Sequence, residues 1–387
     1  MTETSPVNRA ERLIGEYHTG RTGHLLIVLA GIHGNEPSGV VAVGRVLEQL
    51  RTHQIPLRGR VVALQGNMQA LQSGRRFIRH DLNRIWTTER IELLRTLTDG
   101  SSLLDEEREL FELLGIIEGL LDGETIPPIL TDLHSTSGDA PPFSIISDTL
   151  QNRKVAFSIP VPVVLGLEEA IDGTTLSYFG EMGLIAIGIE GGKHEDPDTI
   201  ENHEACLWMM LAGAGLIDRN GIPNLKHHTS VLRSATGVLP RVVEIIHRHG
   251  IEEGDGMTMI DGYRNFAPVS EGDVLAKDLS GDVRSPVDGM LLLPRYQALG
   301  DDGFFISRPV NPLWLQVSSL FRFLRLDQIL RFFPGVHHHD RDRKTLLANP
   351  SVARWFTIQI FHLLGYRRRG MENGMMKFSR RPEKPLF

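Results

Sequence analysis

The chain has 387 residues, enough for two or three domains at roughly 150 residues each. Hydrophobic residues make up 41% and charged residues 23%, an ordinary globular balance with material for a sizeable core. A net charge of −7 gives no reason to expect a nucleic acid or other polyanionic partner, and a single cysteine, Cys206, excludes an internal disulfide.

The opening text, "MTETSPVNRAERLIGEYH", is polar and has no apolar core of a secretory signal. No apolar run reaches the roughly 18 residues of a membrane span. The expectation is a soluble, cytoplasmic protein. Four short runs rich in Val, Ile and Leu follow: "HLLIVLAG" (24–31), "RVVALQGN" (60–67), "PPILTDLH" (127–134) and "LIAIGIEGG" (184–192). They read as buried strands of a largely parallel sheet. Helical stretches lie between them at about 38–53, 105–122 and 199–217. The alternation predicts an α/β fold over residues 1–220, an open mixed, largely parallel sheet with helices on both faces. "DRNGIPNLKHH" (218–228) reads as a linker. Residues 230–310 carry short strand signals broken by turns and predict a small β-rich domain capping the site. Beyond 310 the pattern turns helical, which predicts a helical C-terminal extension over 311–387.

In an open α/β sheet, sites form where loops leave the C-terminal ends of strands. His33 and Glu36 lie just past the first strand, His134 ends the third, and Glu190 ends the fourth. Two His and one Glu, with a fourth position left for water, form a catalytic zinc arrangement. Sixteen His against one Cys point any metal site towards N/O ligands. Gly31 and Gly34 would let the first loop curl so that His33 and Glu36 aim at one ion. Taken alone, H-x-x-E reads equally as a polar loop; the converging strand ends favour the metal. Asp132, two residues before His134, shares its face of the strand. It either accepts the second ring N–H of His134 or is a buried acid satisfied by backbone amides. "RRFIRHDLNRIW" (75–86) sets Arg75, Arg76, Arg79, Asn83 and Arg84 around one acid, Asp81, with apolar residues interleaved. A packed loop of this kind suits bidentate capture of a carboxylate.

"GIHGNE", "RFIRHDLNR", "TDLHSTSG" and "GIEGG", in that order, resemble the aspartoacylase/succinylglutamate desuccinylase family, a branch of the zinc carboxypeptidase-like fold. The resemblance spans about residues 24–220, and more loosely 230–309. It implies one zinc per chain on His33, Glu36 and His134. It also implies Glu190 as catalytic glutamate, Arg76 as the arginine that polarises the scissile carbonyl, and Asn83 with Arg84 as the holder of a substrate carboxylate. The implied activity is hydrolysis of the amide of an N-acyl amino acid or related small N-acyl amine. A carboxypeptidase acting on peptides is the alternative. Leu176 stands where aspartoacylases carry an arginine for an acidic side chain, so acetylaspartate is expected to be disfavoured unless Arg295 or Lys193 substitutes. The family's late tyrosine has its nearest counterpart in Tyr296.

Other features read as structural. Cys206 sits in an apolar helix. "SPVDGMLLL" (285–293) lacks the lysine of a lipoyl-type hairpin, and "HHHD" (337–340) reads as solvated. Segment 313–333, rich in Leu and Phe, is expected to pack on the catalytic body or on a second subunit of a homo-oligomer, with a membrane surface as the rival reading.

Overall fold

The computed structural model describes residues 12–97, 100, 102–252, 254–340, 342, 344–350 and 357–381. Its first eight strands are β1 (Leu13–His18), β2 (Arg21–Ala30), β3 (Arg58–Gln65), β4 (Ile129–Thr136), β5 (Phe143–Ile146), β6 (Val163–Leu165), β7 (Ile185–Lys193) and β8 (Val242–Gly250). Then come β9 (Thr258–Met259), β10 (Pro268–Val269), β11 (Val274–Asp278), β12 (Gly281–Arg284), β13 (Gly289–Leu292) and β14 (Asp302–Pro309). The four apolar runs form β2, β3, β4 and β7, which pair parallel as β3–β2–β4–β7.

These strands are apolar throughout because both faces are covered. Leu26, Val28 and Ala30 of β2 face one core cluster, with Val43, Leu47 and Trp208 from the helices Ser38–Thr52 and Asp198–Gly213. Leu25, Ile27 and Leu29, pointing the other way, pack with Leu110, Leu113 and Ile117 of the helix Asp105–Leu121. The three expected helices therefore cover two faces of one mixed, largely parallel sheet. Cys206 is buried in the first cluster, and burial pushes its thiol up.

The β-rich region is present, and four of its strands extend the central sheet. The full order is β1-β3-β2-β4-β7-β5-β6-β8-β14-β13-β10, eleven strands, with β8 parallel to β6. A separate sheet of three strands holds β12, β11 and β9.

Two expectations need correction. The stretch 218–228 is not all linker: a helix begins at Leu225 and runs to Thr236. Its buried face is His228, Leu232 and Thr236, so histidine and threonine occupy positions where an apolar stripe would have signalled a helix. The extension, in turn, is not simply helical. After the helix Pro312–Phe323 it forms β15 (Val336–His338), β16 (Thr345–Ala348), β17 (Tyr366–Glu372) and β18 (Met375–Arg380), an antiparallel sheet of four strands. Arginines in "YRRRGME" hid the strand period. The usable signal was Asn373-Gly374, both at positive φ, closing the β17–β18 hairpin.

Arginines fasten this extension to the catalytic body. Arg322 reaches the buried Asp148 at 2.7 Å, Arg367 and Arg369 reach Glu181, and Arg381 reaches Glu168 and Glu169. Leu313, Trp314, Leu320 and Phe323 stay exposed on its helix. Among the described residues, no helix is long and apolar enough to cross a membrane.

His203, on the helix Asp198–Gly213, is fully buried against Gly191, and burial pushes its pKa down to about 4. An unfolded histidine titrates near ~6.5. The folded chain therefore holds the ring neutral, and the stability tied to it is complete above pH ~6.5 and lost as pH falls towards the folded value. The loss should approach about 3 kcal/mol. Replacing His203 with Gln should flatten the fall in unfolding free energy between pH 6.5 and 4. An unchanged slope in chemical denaturation would show that another group sets it.

Candidate active site

The loop after β2 is shaped by close backbone approach. A Cβ on Gly34 would lie 2.0 Å from the Ala70 carbonyl carbon, so only glycine lets this loop reach the next one. The Gly34 N–H donates to the Arg76 carbonyl at 3.1 Å, joining the His33–Glu36 loop to the arginine loop. His134 and Glu190 arrive as register partners on β4 and β7.

His33, Glu36 and His134 are all buried, and one ligand atom from each falls within 4.8 Å of the others. Both Nδ1 atoms face Glu36, His33 at 2.9 Å from Oε1 and His134 at 3.2 Å from Oε2. The two Nε2 atoms face other acids: His33 meets Asp81 at 3.0 Å and His134 meets Asp132 at 3.0 Å. Four ring nitrogens thus face carboxylates, while two neutral imidazoles have only two N–H groups. Burial opposes charge on His134, but Asp132 and Glu36 hold its pKa well above the usual value. Burial likewise opposes ionisation of Glu36, yet His33 and His134 hold it well below the usual carboxylate range. A divalent cation among the two Nδ1 atoms and Glu36 would replace both shared protons and leave each Nε2–H donating to its own acid. The donor set therefore fits a metal, and an N/O set with outer carboxylates is the chemistry zinc takes.

Asp132 Oδ2, which meets His134, also accepts from the Thr175 hydroxyl at 2.7 Å. The counterpart on His33 is Asp81, which the sequence showed only as one acid among arginines. Arg76 donates to Asp81 at 2.9 Å and lies 3.4 Å from Glu36. Burial opposes the Asp81 charge, but His33 and Arg76 hold its pKa well below the usual range.

His33, Glu36, Arg76, Asn83, Arg84, His134 and Glu190 line one cavity, with Leu176 and Arg295 also in its wall. Glu190 is 7% exposed, and its Oε2 is buried without a hydrogen-bond partner. Burial pushes its pKa up to about 8, against the pull of His134. Asn83 is held from behind, its Oδ1 accepting from the Thr175 amide at 2.9 Å. Arg84 arrives already paired: Asp302 of β14 accepts from it at 2.6 Å and from Arg248 at 2.6 Å. Arg295 spends its guanidinium on the carbonyls of Gly300 and Met257. Lys193 and Arg75 are exposed and not in the wall. Tyr296 turns its hydroxyl to the carbonyls of Ile260 and Tyr263, away from the cavity. "HHHD" forms no second metal cluster among the described residues.

One residue outside the cavity sets its shape. Glu106, fully buried, accepts the amides of Ile78 (2.6 Å), Arg79 (3.0 Å) and His80 (3.1 Å) and the Asn67 side chain (3.0 Å). It holds the loop that carries Arg76, Asp81, Asn83 and Arg84. Replacement by Ala strands several buried donors and should cost about 3 kcal/mol in urea unfolding. Loss of activity with unchanged stability would contradict this anchoring role.

Residues 22–212 match the model of the succinylglutamate desuccinylase/aspartoacylase catalytic domain. This stretch belongs to the succinylglutamate desuccinylase/aspartoacylase family. Family members are deacylases, hydrolases that remove an acyl group. A probable aspartoacylase of Nostoc sp. is 26% identical over 274 residues, covering 66% of this chain and 84% of its own. The solved succinylglutamate desuccinylase/aspartoacylase of Rhodobacter sphaeroides superposes with a TM-score of 0.56 at 18% identity, over 75% of this chain and 87% of that one. The product-bound ectoine utilization protein EutE (DoeB) of Ruegeria pomeroyi gives 0.53 at 19% identity, over 76% and 87%. At these identities the two structures share the fold with this chain.

Proposed function

We propose that the protein is a zinc-dependent deacylase that hydrolyses the amide bond of an N-acyl amino acid or a related small N-acyl amine. The observation that carries this reading is the cavity that brings the His33–Glu36–His134 cluster together with Glu190, Arg76, Asn83 and Arg84. His33, Glu36 and His134 would hold the ion, which when bound lowers the pKa of water and polarises a carbonyl. Glu190 takes a proton from water and returns it to the leaving nitrogen. A buried carboxyl whose pKa is raised to about 8 is matched to exchange protons near neutrality. Arg76, fixed by Asp81, presents positive charge beside Glu36 for the oxygen of the tetrahedral intermediate. Asn83 and Arg84 anchor a substrate carboxylate. The segment Leu293–Asp302 of the β-rich region supplies a wall of the cavity, which favours a small substrate over a long peptide.

One carboxylate clamp, already shared with Asp302, and Leu176 in the wall favour substrates with a single anionic group. A buried second carboxylate without a partner is costly. The test is kcat/KM of the zinc-loaded protein on a panel of acetyl amino acids. Acetyl-leucine or an acetylated diamino acid should exceed acetylaspartate by about tenfold or more, roughly 1.4 kcal/mol. A clear win for acetylaspartate would refute the argument from Leu176, and no acyl release from any member would refute the deacylase.

A further inference from the structure

The same cavity has a part that the reaction does not use. Ile145, Leu167, Ile171 and Leu176 give it aliphatic walls. Ile145 and Leu176 crowd one spot over Gly188, where an added Cβ would lie 3.5 Å from the first and 2.9 Å from the second. Glu168 is set in this wall, with its side chain 5% exposed. Its Oε1 faces Arg381 at 3.0 Å, while its Oε2 is buried and has no hydrogen-bond partner. Arg381 divides itself between Glu168 and Glu169, the latter at 2.9 Å, while Arg367, paired with Glu181, adds a more distant positive charge near Glu168. His362 meets the far oxygen of Glu169 and not Glu168. A buried carboxylate oxygen without a donor is expensive to maintain. It is the complement of a ligand that brings a donor and positive charge.

We propose that this wall is an amine subsite. The substrate carries, beyond its scissile amide, a protonated amino group on an aliphatic stem. The stem lies along Ile145, Leu167, Ile171 and Leu176, and the ammonium donates to Glu168 Oε2. The word substrate rests on the deacylase reading; binding of the amine does not. An anionic group in the same place would face the Glu168 carboxylate.

Calorimetry on the zinc-loaded Glu190→Gln protein, in which turnover is suppressed, compares Nα-acetyl-ornithine with its neutral isostere Nα-acetyl-norleucine. The ornithine compound should bind at least about tenfold tighter, the scale of one charge-assisted contact. Adding Glu168→Gln should bring the two within about twofold, with norleucine affinity unchanged as the control for an intact cavity. Equal affinities before that change, a preference that survives it, or no binding of either compound would overturn the subsite. Should the Glu168 variant fail to fold, the comparison before it still decides. Acetate release by the unaltered protein is read separately. Acetyl-norleucine cleaved as well as acetyl-ornithine, with equal binding, would sink the amine subsite and leave the deacylase standing.

Discussion

Glu190→Gln is expected to lower kcat by roughly 100- to 10,000-fold while leaving the fold and the bound metal unchanged. Glutamine keeps the shape of a side chain that is packed at the end of β7 and 7% exposed. What it removes is the capacity to hold a proton. Glu190 is suited to that task because burial raises its pKa and its Oε2 has no internal partner to compete with water or substrate. The measurement is turnover on the best substrate of the acyl amino acid panel, with metal content and thermal unfolding as controls. Near-parental kcat in a folded, metal-replete variant would remove Glu190 from the reaction.

His134→Ala should abolish stoichiometric zinc binding, with affinity down by at least about 100-fold. That lies at or beyond the 10- to 100-fold typical of losing an outer partner of a ligand. The variant deletes one of the three donors that fall within 4.8 Å of one another and leaves Asp132 and Glu36 facing a void. Asp81→Asn and Asp132→Asn should each give the smaller, outer-partner loss, because they orient His33 and His134 without joining the cluster. Elemental analysis after dialysis against a competing chelator reads all three. Zinc held at unchanged affinity by His134→Ala would sink the ligand assignment.

The strands and the grouping of His33, Glu36 and His134 were legible because both are local signals. Strands covered on two faces read as unbroken apolar runs; His33 and Glu36 follow the end of β2 by three and six residues, and His134 and Glu190 precede the ends of β4 and β7 by two and three. Partners chosen by the fold across long stretches of chain were not legible. Arg84 and Asp302 are 218 positions apart, and nothing near either predicts the other. Glu106 looks like one more acid in the first turn of a helix; its work is to receive three amides from a loop that precedes it in the chain. The sheet of the extension escaped notice because arginines that dock on Glu181 occupy strand positions where alternation would otherwise show.

The continuity of the eleven-stranded sheet has a mechanical consequence. β6 and β8 are bonded in parallel from Val163–Val242 to Leu165–Glu244, so the β-rich wall belongs to the same sheet as the strands that carry His134 and Glu190. Swinging that wall open as a rigid body would tear the ladder. This build has no hinge of the kind that lets two lobes close on a ligand. The part of the wall outside that ladder is the connection between β13 and β14, where Gly300 adopts a φ of +126° and its neighbours Leu299 and Asp301 line the cavity. Free and ligand-bound forms should superpose throughout the sheet and differ in that connection, and a stiffer connection should slow product release before it touches chemistry.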